Sequence, residues 1–187
     1  MWPLGLGQLN SIQIEEMRDL TPSRGWARVF VSHKREDAGP AGIAANQLWH
    51  NGIPCYIDFA DPGVPDRKED IGDHFRDRLR LCTHLLAVIS DKTKASEWVP
   101  FEVGMATGME YPLATYAVSR ANIPDFLLKW PYLTSQQDLD TYAKTLASQQ
   151  RSLARDFREL NLEDRQQYAR GFHRILKQAL GQPEENW

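Results

Sequence analysis

Short apolar runs alternate with amphipathic segments through the middle of this chain. Between the runs, apolar residues recur with helical spacing, as Ala41, Ala44, Ala45 and Leu48 do at i, i+3, i+4 and i+7. Five runs have the character of buried strands, namely residues 28–32, 53–59, 84–90, 111–118 and 132–134. This alternation predicts an α/β fold with a parallel sheet and right-handed crossovers.

Four further helices follow from the same spacing. One has apolar residues at positions 71, 75, 79 and 82, and the next begins near Ser96, with apolar residues at 98, 101, 105 and 109 along one side. After residue 134, one helix is predicted from the apolar residues at 146, 153, 157 and 160. The last contains Tyr168 and Phe172 and is closed by Gly181.

The length of 187 residues favours one domain. We divide it into a lead-in at 1–25 with at most one short helix, a core at 26–134, and C-terminal helices at 135–187. Those helices either pack on the core or provide a surface for association, and the sequence leaves both open.

Composition limits the expected partners and compartment but does not indicate a function. Hydrophobic residues make up 42% and charged residues 25%, and the net charge of −3 gives no general reason to expect nucleic acid or an anionic membrane as partner. We expect a cytoplasmic protein, because the chain starts without a secretory signal pattern, has no run long enough to span a membrane, and places Cys55 and Cys82 in apolar surroundings. The five histidines lack metal-ligand spacing, so no metal site is predicted.

The candidate functional residues lie at one edge of the predicted sheet. Parallel sheets bind ligands beyond the carboxyl ends of their strands. This rule selects polar residues after the first three strands, namely Ser32, His33, Lys34, Arg35, Asp58 with the loop that follows it, and segment 90–102.

Trp98 and Glu102 are the most informative pair within these segments. Four residues apart on a helix, they lie on one face, one turn from each other. Such a pair is most often a core residue beside a solvated edge. However, a flat ring next to an acid also suits a substrate that stacks and develops positive charge, as a nicotinamide riboside does.

Four motifs together resemble the Toll/interleukin-receptor (TIR) domain family over roughly residues 27–134. They are VFVSHKRED at 29–37, YID at 56–58, LAVIS at 86–90 and WVPFE at 98–102. The resemblance implies a flavodoxin-like fold with a five-stranded parallel sheet and helices on both faces. Residues 59–70 do not closely match animal members, so partner contacts are not carried over.

The resemblance also implies an activity. TIR enzymes, which cleave the nicotinamide–ribose bond of NAD+, carry a glutamate four residues after a tryptophan on the third helix, and Trp98 and Glu102 match this pattern. We therefore expect Glu102 to be catalytic and Trp98 to stack on the pyridinium ring. Lys34 and Arg35 match a basic pair that would hold the diphosphate, and Ser32 and Asp58 would bind ribose hydroxyls, with His33 beside them.

The chain looks similar to stand-alone bacterial TIR proteins, including those of Thoeris-type anti-phage systems. That likeness implies NAD+ as substrate with no further cofactor, and ADP-ribose or a cyclic ADP-ribose isomer as product. It also implies a separate effector reached through the diffusible product, and self-association through TIR–TIR contacts.

Two other functions stay open. A scaffold that signals by TIR–TIR assembly would show no turnover, and a nucleoside deoxyribosyltransferase would use a glutamate at a similar place. A phospho-receiver domain is disfavoured, because Ser32-His33 stands where an acidic pair is needed. A dinucleotide oxidoreductase is disfavoured because no Gly-x-Gly-x-x-Gly follows the first strand.

Overall fold

A computed structural model describes residues 27–57, 68–91, 93, 98–117, 123–150 and 156–183, except for the side chains of 68–71, 98 and 150. Five strands in these residues form one parallel sheet: β1 Val29–Ser32, β2 Cys55–Ile57, β3 His84–Ile89, β4 Leu113–Ala117 and β5 Tyr132–Leu133. The strand order is β2-β1-β3-β4-β5, which is the flavodoxin-like order. The predicted fold class is confirmed.

The described residues form six helices that cover both faces of the sheet. They are α1 Ala38–His50, α2 Lys68–Arg80, α3 Trp98–Gly108, α4 Asp125–Leu128, α5 Gln136–Gln150 and α6 Leu162–Ala179. Successive strand residues point to opposite faces. Accordingly, Val29 and Val31 pack with α1, α5 and α6, whereas Phe30 packs with α2 and α3.

The order of the strands creates a crevice at the carboxyl edge. From β1 the chain crosses first to β2 on one side and then returns to β3 on the other side. In doubly wound sheets this reversal is where ligands bind. The last residue of β1, Ser32, lies beside Ala87 of β3 in the register, so Ser32 stands at the crevice.

The helix predicted to run through positions 146, 153, 157 and 160 is wrong as one element. Helix α5 ends at Gln150, and Phe157–Glu159 is a separate 3-10 turn. Its cap is Asp156, whose side chain accepts a hydrogen bond from the backbone N–H of Arg158. Phe157 is buried and contacts Tyr111 with ring centroids 5.1 Å apart. A local cap and a tertiary contact therefore outweigh the helical periodicity here.

Helix α6 contacts the amino ends of β3 and β4, away from the crevice. Nε2 of His173 accepts a hydrogen bond of 2.9 Å from the backbone N–H of Leu113, the first residue of β4. The hydroxyl of Tyr168 lies 3.2 Å from Nε2 of His84, the first residue of β3. The last predicted helix is thus part of the sheet's packing.

Some predictions lie outside the described residues. They include the lead-in at 1–25, Asp58 and the loop that follows it to residue 67. Within the residues that the structure covers, no helix is both long and apolar enough to cross a membrane. In that same part of the chain, no group of three or more His, Cys, Asp or Glu side chains is arranged to hold a metal ion.

Candidate functional site

Ser32 ends β1 on the sheet face that carries α2 and α3. The neighbouring Phe30 packs with these helices and Val31 packs on the opposite face, so strand alternation turns Ser32 toward α3. Only 1% of its surface is exposed. A small hydroxyl side chain therefore lies buried at the carboxyl edge, where a core residue would ordinarily be apolar.

Glu102 lies on the buried stripe of α3. The other members of this stripe are Val99, Val103 and Ala106, so the carboxylate occupies the i+3 position of an i, i+3, i+4, i+7 pattern. Its exposed fraction is 3%. A carboxylate is almost never this buried unless it is paired or hydrogen-bonded.

The predicted apolar side of this helix is not its buried face. Phe101 is 45% exposed and contacts Phe75 of α2 with ring centroids 6.5 Å apart. Met105 and Met109 are only partly buried, although they pack against the core. Trp98 begins the helix as expected, one turn before Glu102, but its side chain lies outside the described part of the chain.

The hydroxyl of Ser32 donates a hydrogen bond to Oε2 of Glu102. The bond joins residues that are 70 positions apart in the sequence. A hydrogen bond to an ionised acceptor is about twice as strong as a neutral one, so it compensates part of the cost of burying the carboxylate. The structure thus brings two of the predicted site residues into direct contact.

The other predicted residues that follow β1 differ in exposure. His33 is buried, with 3% of its surface exposed. Lys34 is half-buried, and its Nζ lies 3.4 Å from Oε1 of Glu36. Arg35 is exposed at the start of a 3-10 turn. The role expected of Lys34 and Arg35 toward a diphosphate stays a prediction.

Asp37 was missed at the sequence level. Its carboxylate is buried, and Oδ2 accepts hydrogen bonds from the hydroxyls of Ser90 at 2.9 Å and Thr93 at 3.0 Å. The Thr93 hydroxyl in turn accepts from the backbone N–H of Ser90 at 2.9 Å. An aspartate just before a helix ordinarily indicates a cap, so its sequence position does not indicate these contacts with Ser90 and Thr93.

An open cleft of about 90 Å³ lies against the same helix at the same edge. Its walls are mostly apolar and include Val99, Val103 and Phe126, with Ser90 and Thr93 among the lining residues. Glu102 is not among them. The cleft therefore lies beside the Ser32–Glu102 pair, on the same helix.

A sequence model described as the TIR domain matches residues 29–147, which is more than half of the chain. The chain belongs to the TIR-domain family. The match includes every strand of the sheet, the Ser32–Glu102 pair and Asp37, and it ends within α5. It extends beyond residue 134, where the motif-based resemblance ends.

One relative of this TIR domain is named as a probable 3' cyclic ADP-D-ribose synthase, ThsB', from Bacillus cereus strain MSX-D12. The two are 28% identical over 115 residues, which covers 56% of this chain and 59% of the relative. The chain thus spans under two thirds of the length of this relative.

Two buried histidines, His84 and His173, lie at the amino edge of the sheet. Burial lowers the pKa of His84 to about 3, and the nearby His173 contributes in the same direction. The pKa of His173 is also lowered to about 3, first by burial and then by the cations Lys177 and Lys129. Both side chains are neutral near pH 7 and are placed to support packing away from Glu102.

Proposed function

We propose that this TIR domain cleaves the bond between nicotinamide and ribose in NAD+, with Glu102 as the catalytic residue. The observation that carries the proposal is a buried carboxylate, fixed by Ser32 at the crevice edge of a doubly wound sheet. The printed name of the B. cereus relative supports it, because a cyclic ADP-ribose synthase must break this same bond.

The chemistry needs only one carboxylate. When the C1′–N bond breaks, its electron pair goes to the ring nitrogen, and the pyridinium leaves as neutral nicotinamide without a general acid. The developing positive charge remains on the ribose, where a fixed carboxylate stabilises it. Ordinary glycosidases have poorer leaving groups and therefore use two carboxyl groups.

The position of Glu102 increases the effect of its charge. Its neighbours on the stripe are Val99 and Val103, and electrostatic attraction is stronger in such surroundings than in water. The hydrogen bond from Ser32 holds Oε2 against the end of β1 before substrate arrives. We therefore assign Ser32 to fixing the catalytic carboxylate, in place of the ribose contact expected from the sequence.

The remaining predicted residues complete the proposal. Lys34 and Arg35 hold the diphosphate, Trp98 stacks on the pyridinium ring, and Asp58 and His33 order the ribose end. Capture of the ADP-ribosyl cation by water, with loss of a proton, gives ADP-ribose. If a nucleophilic atom in the ADP part of the same molecule captures the cation and loses a proton, the product is a cyclic isomer. This is the class of product in the name of the relative.

We further propose that the product is a diffusible signal in anti-phage defence, acting on a separate effector protein. Assembly of several copies through TIR–TIR contacts is expected to support turnover. If so, the rate per protomer rises with protein concentration, and sedimentation shows oligomers over the same range. A monomer with full activity on dilution would exclude this requirement.

The direct test is incubation of the concentrated protein with NAD+, followed by mass spectrometry of the products. Nicotinamide together with ADP-ribose or a cyclic isomer is expected, and Glu102→Gln should lower the formation of both at least about 100-fold. Glu163→Gln, at an exposed position in the first turn of α6, is the matched control. No nicotinamide at any concentration would favour the assembly scaffold, and base exchange with deoxynucleosides would favour a deoxyribosyltransferase.

A further inference from the structure

Asp37 has a hydrogen-bonding arrangement that its place in the helix does not require. It is the N-cap residue of α1, yet its side chain makes no capping hydrogen bond. Aspartate at this position ordinarily accepts from the backbone of the first helical turn, which contributes about 1 kcal/mol. Here the carboxylate instead accepts from Ser90 and Thr93, which are 53 and 56 positions away.

These contacts join the segment that follows Ser32 to the residues that follow β3. Asp37 follows Ser32 by five residues, and its backbone N–H donates to the carbonyl of Lys34 at 2.7 Å. Ser90 follows the end of β3 directly, and the chain continues from there to α3, which carries Glu102. One buried carboxylate thus braces the turn after β1 against Ser90 and Thr93, which line the same cleft as Val99 and Val103 of α3.

The arrangement is well suited to a rigid brace. Both hydroxyls donate to the same oxygen, Oδ2, and the Thr93 hydroxyl also accepts from the Ser90 backbone. Hydrogen bonds to an ionised carboxylate are stronger than neutral ones, and the positive end of the α1 dipole favours the negative charge. Asp37 is also buried, so water competes little for these bonds.

We infer that Asp37 is a positioning residue for the proposed reaction, holding α3 at the place where Glu102 meets Ser32. The inference rests on the proposed function, because it concerns the same carboxylate. Asp37 acts through the segments it joins and does not contact the reacting atoms. Its loss should lower kcat while leaving KM little changed, because the contacts that bind the diphosphate remain.

The test compares Asp37→Ala, Asp37→Asn and Thr93→Val with wild type in the full-length chain. For Asp37→Ala we expect a loss of about 10- to 100-fold in kcat, since small misplacements of catalytic groups have effects of this size. Asn keeps an oxygen that can accept both bonds, so Asp37→Asn should recover part of the activity. The double variant Asp37→Ala/Thr93→Val should have the same kcat as Asp37→Ala alone, because the two substitutions disrupt the same set of hydrogen bonds.

Asp73→Ala is the matched control, since Asp73 is an exposed aspartate of α2 that pairs with Arg76 at 2.9 Å. Hydrogen–deuterium exchange gives a readout independent of turnover. Asp37→Ala should speed exchange in α3 and at Ser90 while α6 keeps its protection. A purely structural role would instead lower the free energy of unfolding and speed exchange in α3 and α6 alike.

The inference is overturned if wild type cleaves NAD+ and Asp37→Ala keeps its kcat, or if faster exchange spreads equally to α6. The inference is also overturned if the losses in kcat of Asp37→Ala and Thr93→Val multiply in the double variant. If wild type releases no nicotinamide, the proposed function fails and the positioning role fails with it. The wild-type measurement therefore separates this result from a failure that concerns Asp37 alone.

Discussion

The hydroxyl of Ser32 and the carboxylate of Glu102 form a buried hydrogen bond between the end of β1 and the sheet-facing side of α3. The bond fixes one carboxylate oxygen before any substrate arrives. Preorganisation of this kind is what allows a charged group to stabilise a transition state without reorganising at the moment of reaction. Ser32 should therefore affect both stability and rate.

Replacing Ser32 with Ala should lower the free energy of unfolding by about 1–3 kcal/mol, because a buried carboxylate loses this hydrogen bond. The same change should lower kcat about tenfold or more, since it removes a contact that fixes the position of Glu102. Urea unfolding and nicotinamide release measure the two effects. Wild-type kcat in a folded Ser32→Ala protein would show that the hydrogen bond does not position Glu102.

Acidification should destabilise the protein through His84 and His173. Their folded-state pKa values of about 3 lie below the ordinary value of 6.5, so the unfolded state binds more protons between these limits. Stability from these groups is therefore fully present above pH 6.5 and is lost as the pH falls toward about 3. At pH 5 each histidine should account for a loss of about 2 kcal/mol.

Urea unfolding at pH 7.5 and pH 5 checks this expectation, and His173→Gln serves as a comparison because it removes one titrating ring. The variant should show a smaller loss between the two pH values than wild type. An equal loss in both proteins would mean that His173 is not held neutral in the folded state.

Phe172→Ala should reveal that α6 belongs to the core of the domain. Phe172 is buried, and its ring contacts His84 with centroids 4.8 Å apart, so truncation should lower the free energy of unfolding by about 3–5 kcal/mol. Leu162→Ala on the same helix is the control, since Leu162 is 60% exposed and should change stability by less than about 0.5 kcal/mol. Equal effects would contradict the packing of α6 on the sheet.

The sheet could be predicted from the sequence because its strands are buried on both faces. Such strands appear as continuous apolar runs, and His84–Ile89 is one of the clearest. The end of α1 was also predictable, because Gly52 adopts a positive φ of 71° that glycine accommodates without strain. These features depend on local chemistry, which a single sequence displays directly.

The buried face of α3 could not be predicted from hydrophobicity. Its true stripe contains a carboxylate, Glu102, and a small residue, Ala106, whereas the alternative side has the larger Phe101 and Met105. The stripe follows from the position of α3 against β3, which is a tertiary property. A hydrophobic pattern alone therefore favours the wrong face.

The long-range contacts of the site also could not be predicted from the sequence. Sheet topology predicted that Ser32 and segment 90–102 would share an edge, but it did not predict the hydrogen bond to Glu102. The brace made by Asp37 depends on two hydroxyls that follow another strand, Ser90 and Thr93. Such a contact has no signal in the sequence around Asp37.

The central claim is that the Glu102 carboxylate stabilises the charge that develops on the ribose of NAD+. Its most direct test is the single-turnover rate of nicotinamide release by wild type, Glu102→Gln and the control Glu163→Gln at equal concentrations. We predict a loss of at least about 100-fold for Glu102→Gln, with the control unchanged. A folded Glu102→Gln protein that releases nicotinamide at the wild-type rate would contradict the account.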